Sequence, residues 1–183
     1  MRLGRIDIIF GCMYSGKSTE ITRIANKYKI LRKNLLLINH SLDNRYSDNN
    51  ISTHNKIMLK CTSVDNLTCL KSTESYLKSE IVIIEEAQFF KDLFQFVIDG
   101  AEVHNKTMIV VGLNGDSDRN PFGDILKLIP YCDSVKKLDA FCIKCGDGTL
   151  AHFSKKVNKN ICSQIHVGTE ESYIAVCRKH YLE

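Results

Sequence analysis

The chain has 183 residues, enough for one compact domain and a small appendage, and its 44% apolar share can fill a sizeable core. A formal charge of +4 is spread along the chain, and even the densest basic run (Lys155, Lys156, Lys159) reads as a solvated loop, so nucleic acid is not an expected partner. No segment reaches the roughly 18–20 consecutive apolar residues of a membrane helix.

In chain order, Arg5 to Phe10 reads as a short strand, Gly11 to Gly16 as a loop, and Lys17 to Arg32 as a helix. Ile21, Ile24, Ala25, Tyr28 and Leu31 fall at helical spacing there. Leu35 to Ile38 is a buried strand, and the polar stretch from His40 to Asn55 reads as a loop. Ile81 to Ile84 is an apolar strand ending in two acids. Phe89 to His104 reads as an amphipathic helix, and Thr107 to Val111 as a further strand. This alternation predicts an α/β fold, a parallel sheet with crossover helices. From Phe141 onward cysteine pairs and short β-like runs take over. A boundary near residue 140 is therefore expected, dividing a nucleotide-binding core (1–140) from a small C-terminal domain (141–183).

Gly11, Cys12, Met13, Tyr14, Ser15, Gly16, Lys17, Ser18 and Thr19 match the phosphate-loop pattern G-x-x-x-x-G-K-S/T in full. Phosphate oxygens need backbone donors from a tightly curled loop, and the helix N-terminus that follows adds positive potential. In this pattern Lys17 reaches the β- and γ-phosphates and Ser18 offers a hydroxyl to Mg2+, which makes ATP the expected ligand. The alternative, a chance glycine-rich turn, is disfavoured by the position between a strand and a helix. Glu85 and Glu86 follow the strand Ile81–Ile84 as a Walker B pair does. One acid can hold Mg2+ and the next can take a proton from an attacking hydroxyl. Otherwise both would merely favour the positive end of a following helix.

Cys142-x-x-Cys145 and Cys177-x-x-His180 have metal-knuckle spacing, giving three thiolates and one imidazole for a structural Zn2+. Such a closed four-ligand site supports folding rather than catalysis. With no signal peptide read at Met1 to Arg5, the eight cysteines fit a reduced, cytoplasmic setting. Cys12, Cys61, Cys69, Cys132 and Cys162 match no ligand pattern, and His54, His152 and His166 stand isolated.

These motifs resemble those of the thymidine kinases, the zinc-containing cellular and poxvirus-like family. Gly11 to Thr19 is similar to G-P-M-F-S-G-K-S-T, and Glu85 to Phe90 to D-E-G-Q-F-F. Asp43 to Tyr46 resembles D-x-R-Y and is followed by Thr53-His54. Gly112 to Gly115 and Arg119 to Leu126 resemble G-L-D-G-T-F-Q-R-K-P-F-G-D-I-L. The resemblance implies a RecA-like P-loop core, with a C-terminal zinc-ribbon domain whose loop covers the nucleoside as a lasso. It implies transfer of the γ-phosphate of ATP to the 5′-hydroxyl of thymidine, and a homotetramer.

By the same resemblance Glu86 is the general base, Glu85 the Mg2+-side acid, and Arg45, with Asp43 beside it, an arginine near the transferred phosphate. Met13, Phe89, Leu113, Phe122 and Tyr173 surround the nucleoside. Gln164, Ile165, His166, Val167 and Gly168 form the lasso whose backbone reads the pyrimidine edge. The chain departs from the family at Cys12 (for Pro), Glu85 (for Asp), Asn114 (for Asp), and Asp116 and Ser117 (for Thr and Phe), with two extra residues between Cys145 and Phe153. Ser117 removes an aromatic from the nucleoside pocket, which predicts a looser or shifted base preference. Two rival readings remain at this level: a P-loop ATPase or regulatory relative without kinase activity, and a zinc-ribbon nucleic-acid-binding module.

Overall fold

The computed structural model describes residues 3–42, 50–52, 58–157 and 172–183. The chain runs through β1 (Arg5–Gly11), α1 (Lys17–Ile30), β2 (Leu35–His40), β3 (Asn50–Ser52), β4 (Met58–Lys60), β5 (Thr62–Val64), α2 (Glu74–Lys78) and β6 (Ile81–Ile84). It continues through α3 (Leu93–Ile98), β7 (Thr107–Gly112), β8 (Ser134–Leu138), β9 (Ala140–Phe141), β10 (Leu150–Ala151), β11 (Phe153–Lys156), β12 (Tyr173–Val176) and α4 (Arg178–Leu182).

Six strands form one all-parallel sheet in the order β5-β2-β6-β7-β1-β8. Successive side chains on a strand point to opposite faces, so a sheet covered on both sides needs apolar residues at consecutive positions. Ile81–Ile84 meets that demand, with all four residues fully buried. On one face, Ile8, Ile38, Val82, Ile84 and Val110 pack against Tyr76, Phe90, Leu93, Phe96 and Leu128. On the other, Ile9, Leu37, Ile81, Ile83, Ile109 and Val111 pack against Ile21 and Ala25 of α1.

After β8 the chain leaves this sheet for two small antiparallel pairs, β9–β10 and β11–β12. Their own apolar cluster joins Ala140, Cys142, Ala151, Ala175, Val176 and Cys177, and it includes Cys12 of the phosphate loop.

Four elements differ from the sequence-based expectation. The helix expected over 89–104 is broken up. A 3-10 turn spans Ala87–Phe89, α3 covers only Leu93–Ile98, and a turn of π-helix follows over Asp99–Val103. The loop expected over 40–55 begins later, since β2 runs through His40, and it contains β3, which pairs with β4. The edge strands β5 and β8 carried no clear apolar signal. Among the described residues no helix is long and apolar enough to cross a membrane.

Candidate active site

The strand ends that face α1's N-terminus gather the chemistry. β1 stops at Gly11, the loop turns through left-handed backbone at Tyr14 and Gly16, and α1 starts at Lys17. Lys17 Nζ folds over the loop, donating to the carbonyls of Cys12 at 2.9 Å and Gly11 at 3.4 Å. Two sheet positions away, β6 delivers Glu85 and Glu86, only 3% and 8% exposed. Ser18 Oγ donates to Glu85 Oε1 at 2.6 Å, so the two motifs meet directly. Burial of two carboxylates at the mouth of a phosphate loop favours cations and hydroxyl donors there.

Glu86 itself adopts a left-handed backbone, φ 51°, which is uncommon for a residue with a Cβ. Its Oε2 accepts from Gln88 Nε2 at 2.5 Å, and Gln88 Oε1 accepts from the N–H of Leu113 at 3.0 Å. Phe89 meets Phe122 edge to face at 5.5 Å and His40 at 5.6 Å. Burial lowers the His40 ring's proton affinity, and its Nδ1 accepts from the N–H of Leu42 at 3.1 Å. Four of the residues expected around a nucleoside have these contacts. Phe89 and Phe122 pack together, Leu113 is tied to the acid turn, and Met13 donates its N–H to Ser154 Oγ at 2.9 Å.

Ser117 sits in a loop that Asp116 organises by accepting from the N–H groups of Asp118 and Asn120, each at 2.9 Å. The carbonyl of Ser117 accepts from Tyr181 Oη at 2.7 Å, and Arg119 lies 4.5 Å over the Tyr181 ring. Tyr173 lies on β12. Burial, with Asp116 and Asp118 adding to it, pushes its phenol up. Arg45, Asp43, Thr53, His54 and Gln164, Ile165, His166, Val167 and Gly168 lie outside the described residues. Gln88, Ser154 and Tyr181 carry contacts that reading the sequence missed. Each acts on a partner remote in the chain, so no local spacing announces it.

The knuckle residues Cys142, Cys145, Cys177 and His180 converge, their ligand atoms all within 4.8 Å of one another. Cys145 Sγ and Cys177 Sγ are 3.8 Å apart, and His180 Nδ1 lies 3.4, 3.4 and 3.5 Å from the sulfurs of Cys142, Cys145 and Cys177. Zn–S bonds of about 2.3 Å and Zn–N bonds of about 2.0 Å at tetrahedral angles give edges of roughly 3.5–3.8 Å, so these donors fit zinc. Burial acts to raise the Cys142 thiol, but backbone donors at Cys177 and Cys145 and the His180 ring outweigh it and bring it to about 6. Burial and the adjacent sulfurs push Cys145 up to about 11. Four electron-rich groups packed this closely need a cation among them before all the thiols ionise.

Fold and site together define a P-loop α/β protein with a zinc-compatible knuckle module packed against the phosphate loop. A family model described as thymidine kinase matches residues 4–181. The chain is 40% identical over 183 residues to a thymidine kinase of Choristoneura fumiferana entomopoxvirus, covering 97% of this chain and 96% of that protein. It is 37% identical over 182 residues to one of Fowlpox virus (strain NVSL), covering 98% and 97%, and 34% identical over 181 residues to one of Bacteroides thetaiotaomicron, covering 99% and 88%. The chain belongs to the thymidine kinase family.

Proposed function

We propose that this chain is an ATP-dependent thymidine kinase, making thymidine monophosphate for DNA precursor synthesis, with selectivity over deoxyuridine and deoxycytidine relaxed by Ser117. The observation that carries the reading is the meeting of phosphate loop and acid pair, Ser18 to Glu85 at 2.6 Å, in a chain of this family. Nothing in the fold or the comparisons favours a bare ATPase or a nucleic-acid-binding module instead.

Backbone N–H groups of Gly11 to Thr19 cradle the phosphates, and Lys17 swings from the loop carbonyls to the β- and γ-phosphates. Ser18 and Glu85 would hold Mg2+, which would neutralise charge on the transferring phosphates. Glu86 takes the proton of the 5′-hydroxyl as that oxygen attacks the γ-phosphorus. The bond to the β–γ bridging oxygen breaks, and ADP leaves with its electron pair. Arg45 meets the transferred phosphate. Met13, Phe89, Leu113, Ser117, Phe122 and Tyr173 wall the nucleoside, and the backbone of Gln164 to Gly168 reads its base. Cys142, Cys145, Cys177 and His180 would hold a structural Zn2+, which would tie the 141–183 module together. The working form is a cytoplasmic homotetramer.

The test is formation of 5′-monophosphate from ATP, Mg2+ and a panel of thymidine, deoxyuridine, deoxycytidine and deoxyguanosine. Thymidine monophosphate as main product, with measurable deoxyuridine and deoxycytidine turnover, is the expected result. Strict thymidine selectivity removes the Ser117 part of the reading. Nucleoside-independent ATP hydrolysis, with no phosphorylated nucleoside, removes the kinase.

A further inference from the structure

We propose that Gln88 is the positioning residue that sets the Glu86 carboxylate against the nucleoside wall, an inference that rests on Glu86 being the base. Gln88 is 3% exposed, and both ends of its amide are used. The N–H of Leu113 can only donate, so it fixes the Gln88 oxygen toward β7. The Gln88 nitrogen, which can only donate, is then turned onto Glu86 Oε2. One side chain thereby spans from the acid turn after β6 to the exit of β7, where Leu113 lies.

The surrounding chain is shaped around this residue. A Cβ at Gly112 would lie 2.3 Å from Gln88 Oε1, and one at Gly123, where φ is +63°, would lie 2.3 Å from the Gln88 carbonyl oxygen. Two glycines from separate segments thus make room for a single glutamine. Glu86 needs such a support. A residue with a Cβ keeps a left-handed backbone only where its surroundings over-determine it. Phe89, next in the chain, packs on Phe122 just before Gly123, so the same turn carries both the base and an aromatic wall. A base displaced by a fraction of an ångström still leaves both substrates bound, but it loses the geometry for proton transfer. Through its bond to Glu86, Gln88 therefore acts on turnover rather than on affinity.

Two variants separate its two hydrogen bonds. Gln88→Glu keeps an acceptor for the Leu113 N–H but replaces the donor facing Glu86 with a carboxylate oxygen. Gln88→Met keeps the length and makes neither bond. Gln88→Glu is expected to lower kcat by about tenfold or more, since positioned acid–base groups supply roughly 100- to 10,000-fold. Its ATP and thymidine dissociation constants, read by calorimetry, should stay within about twofold of the parent. Gln88→Met should lose kcat similarly and also weaken thymidine binding, because Leu113 is released. Wild-type kcat in Gln88→Glu, with Gln88→Met impaired only in thymidine binding, overturns the inference and leaves Gln88 a mere tie for Leu113. Should one variant fail to fold, the kcat of the other decides. Glu86→Gln is the reference: if it retains full kcat, the base assignment itself falls, whereas an inactive Glu86→Gln beside a fully active Gln88→Glu removes this inference alone.

Discussion

Glu86 combines three costs in one residue: a buried carboxylate, a left-handed backbone and a neighbouring acid, Glu85. Folding alone does not call for such a residue, and strained backbone of this kind clusters where a site's chemistry requires it. Glu86→Gln keeps the shape and removes the proposed base, so kcat should fall by at least about 100-fold while the ATP dissociation constant, measured calorimetrically, is unchanged. Ser117 makes the opposite case, since its backbone is anchored by Tyr181 while its side chain is small. On the proposed placement of Ser117 beside the nucleoside, Ser117→Phe should raise kcat/KM for thymidine relative to deoxycytidine. An unchanged ratio in competition assays would place the determinant elsewhere. Residues 11–19 and 85–86 were legible in the sequence because their chemistry is set by contiguous spacing. Gln88 was not, because its partner Leu113 lies 25 residues away and only the folded sheet brings them together.

Elements obey the same logic, with periodicity standing in for spacing. The apolar residues from Phe89 to Val97 advertise a helix, and α3 does form from Leu93 to Ile98. The sequence rhythm counts buried faces, however, and is blind to changes in hydrogen-bond pattern. The turn at 87–89 tightens to carry Gln88 inward, and the turn at 99–103 widens where Gly100 lies tight against Met108. β8 was invisible for a different reason. Its central residues Val135, Lys136 and Lys137 are exposed, as an edge strand allows, so no apolar run marks it. Its hold on the body is partly ionic, since Lys136 Nζ lies 2.8 Å from Glu20 Oε1 on α1, and Arg23 pairs with the same carboxylate at 2.7 Å. Hydrogen bonds from Arg23 and then Lys136 bring Glu20 from 4.5 down to about 2. A lowered folded-state value means that its stabilisation is present above about 4.5 and is lost as pH falls towards about 2. Glu20→Gln should cost at most about 1 kcal/mol at neutral pH, the partners being exposed. Denaturant titrations of parent and variant should converge only as the pH falls below about 2, and a gap that persists there at full size would contradict the pairing.

Over the whole molecule, the knuckle module and the phosphate loop are packed as one body. Cys12 shares the module's apolar cluster, and its thiol donates to the carbonyl of Ala151 at 3.4 Å. The N–H of Met13 donates to Ser154 Oγ at 2.9 Å. Two consecutive residues of the loop therefore lean on β10 and β11, which the convergence of Cys142, Cys145, Cys177 and His180 holds in place. Metal bound there would stabilise the folded module and, through it, the curl of the phosphate loop. Cys177→Ser should lose zinc and about 3 kcal/mol of stability, lowering Tm by roughly 6–12 °C for a chain of this size. It should also weaken ATP binding, because the braces on Cys12 and Met13 loosen with the module. Ser154→Ala separates the two effects: it removes only the acceptor for Met13, so it should weaken ATP binding while zinc content and most of the Tm stay at parent values. Metal analysis, thermal melts and ATP calorimetry on both variants decide it. A zinc-free Cys177→Ser with parental ATP affinity would mean that the module stabilises the fold without shaping the loop, whereas weakened ATP binding in both variants would make the knuckle part of the nucleotide site's architecture.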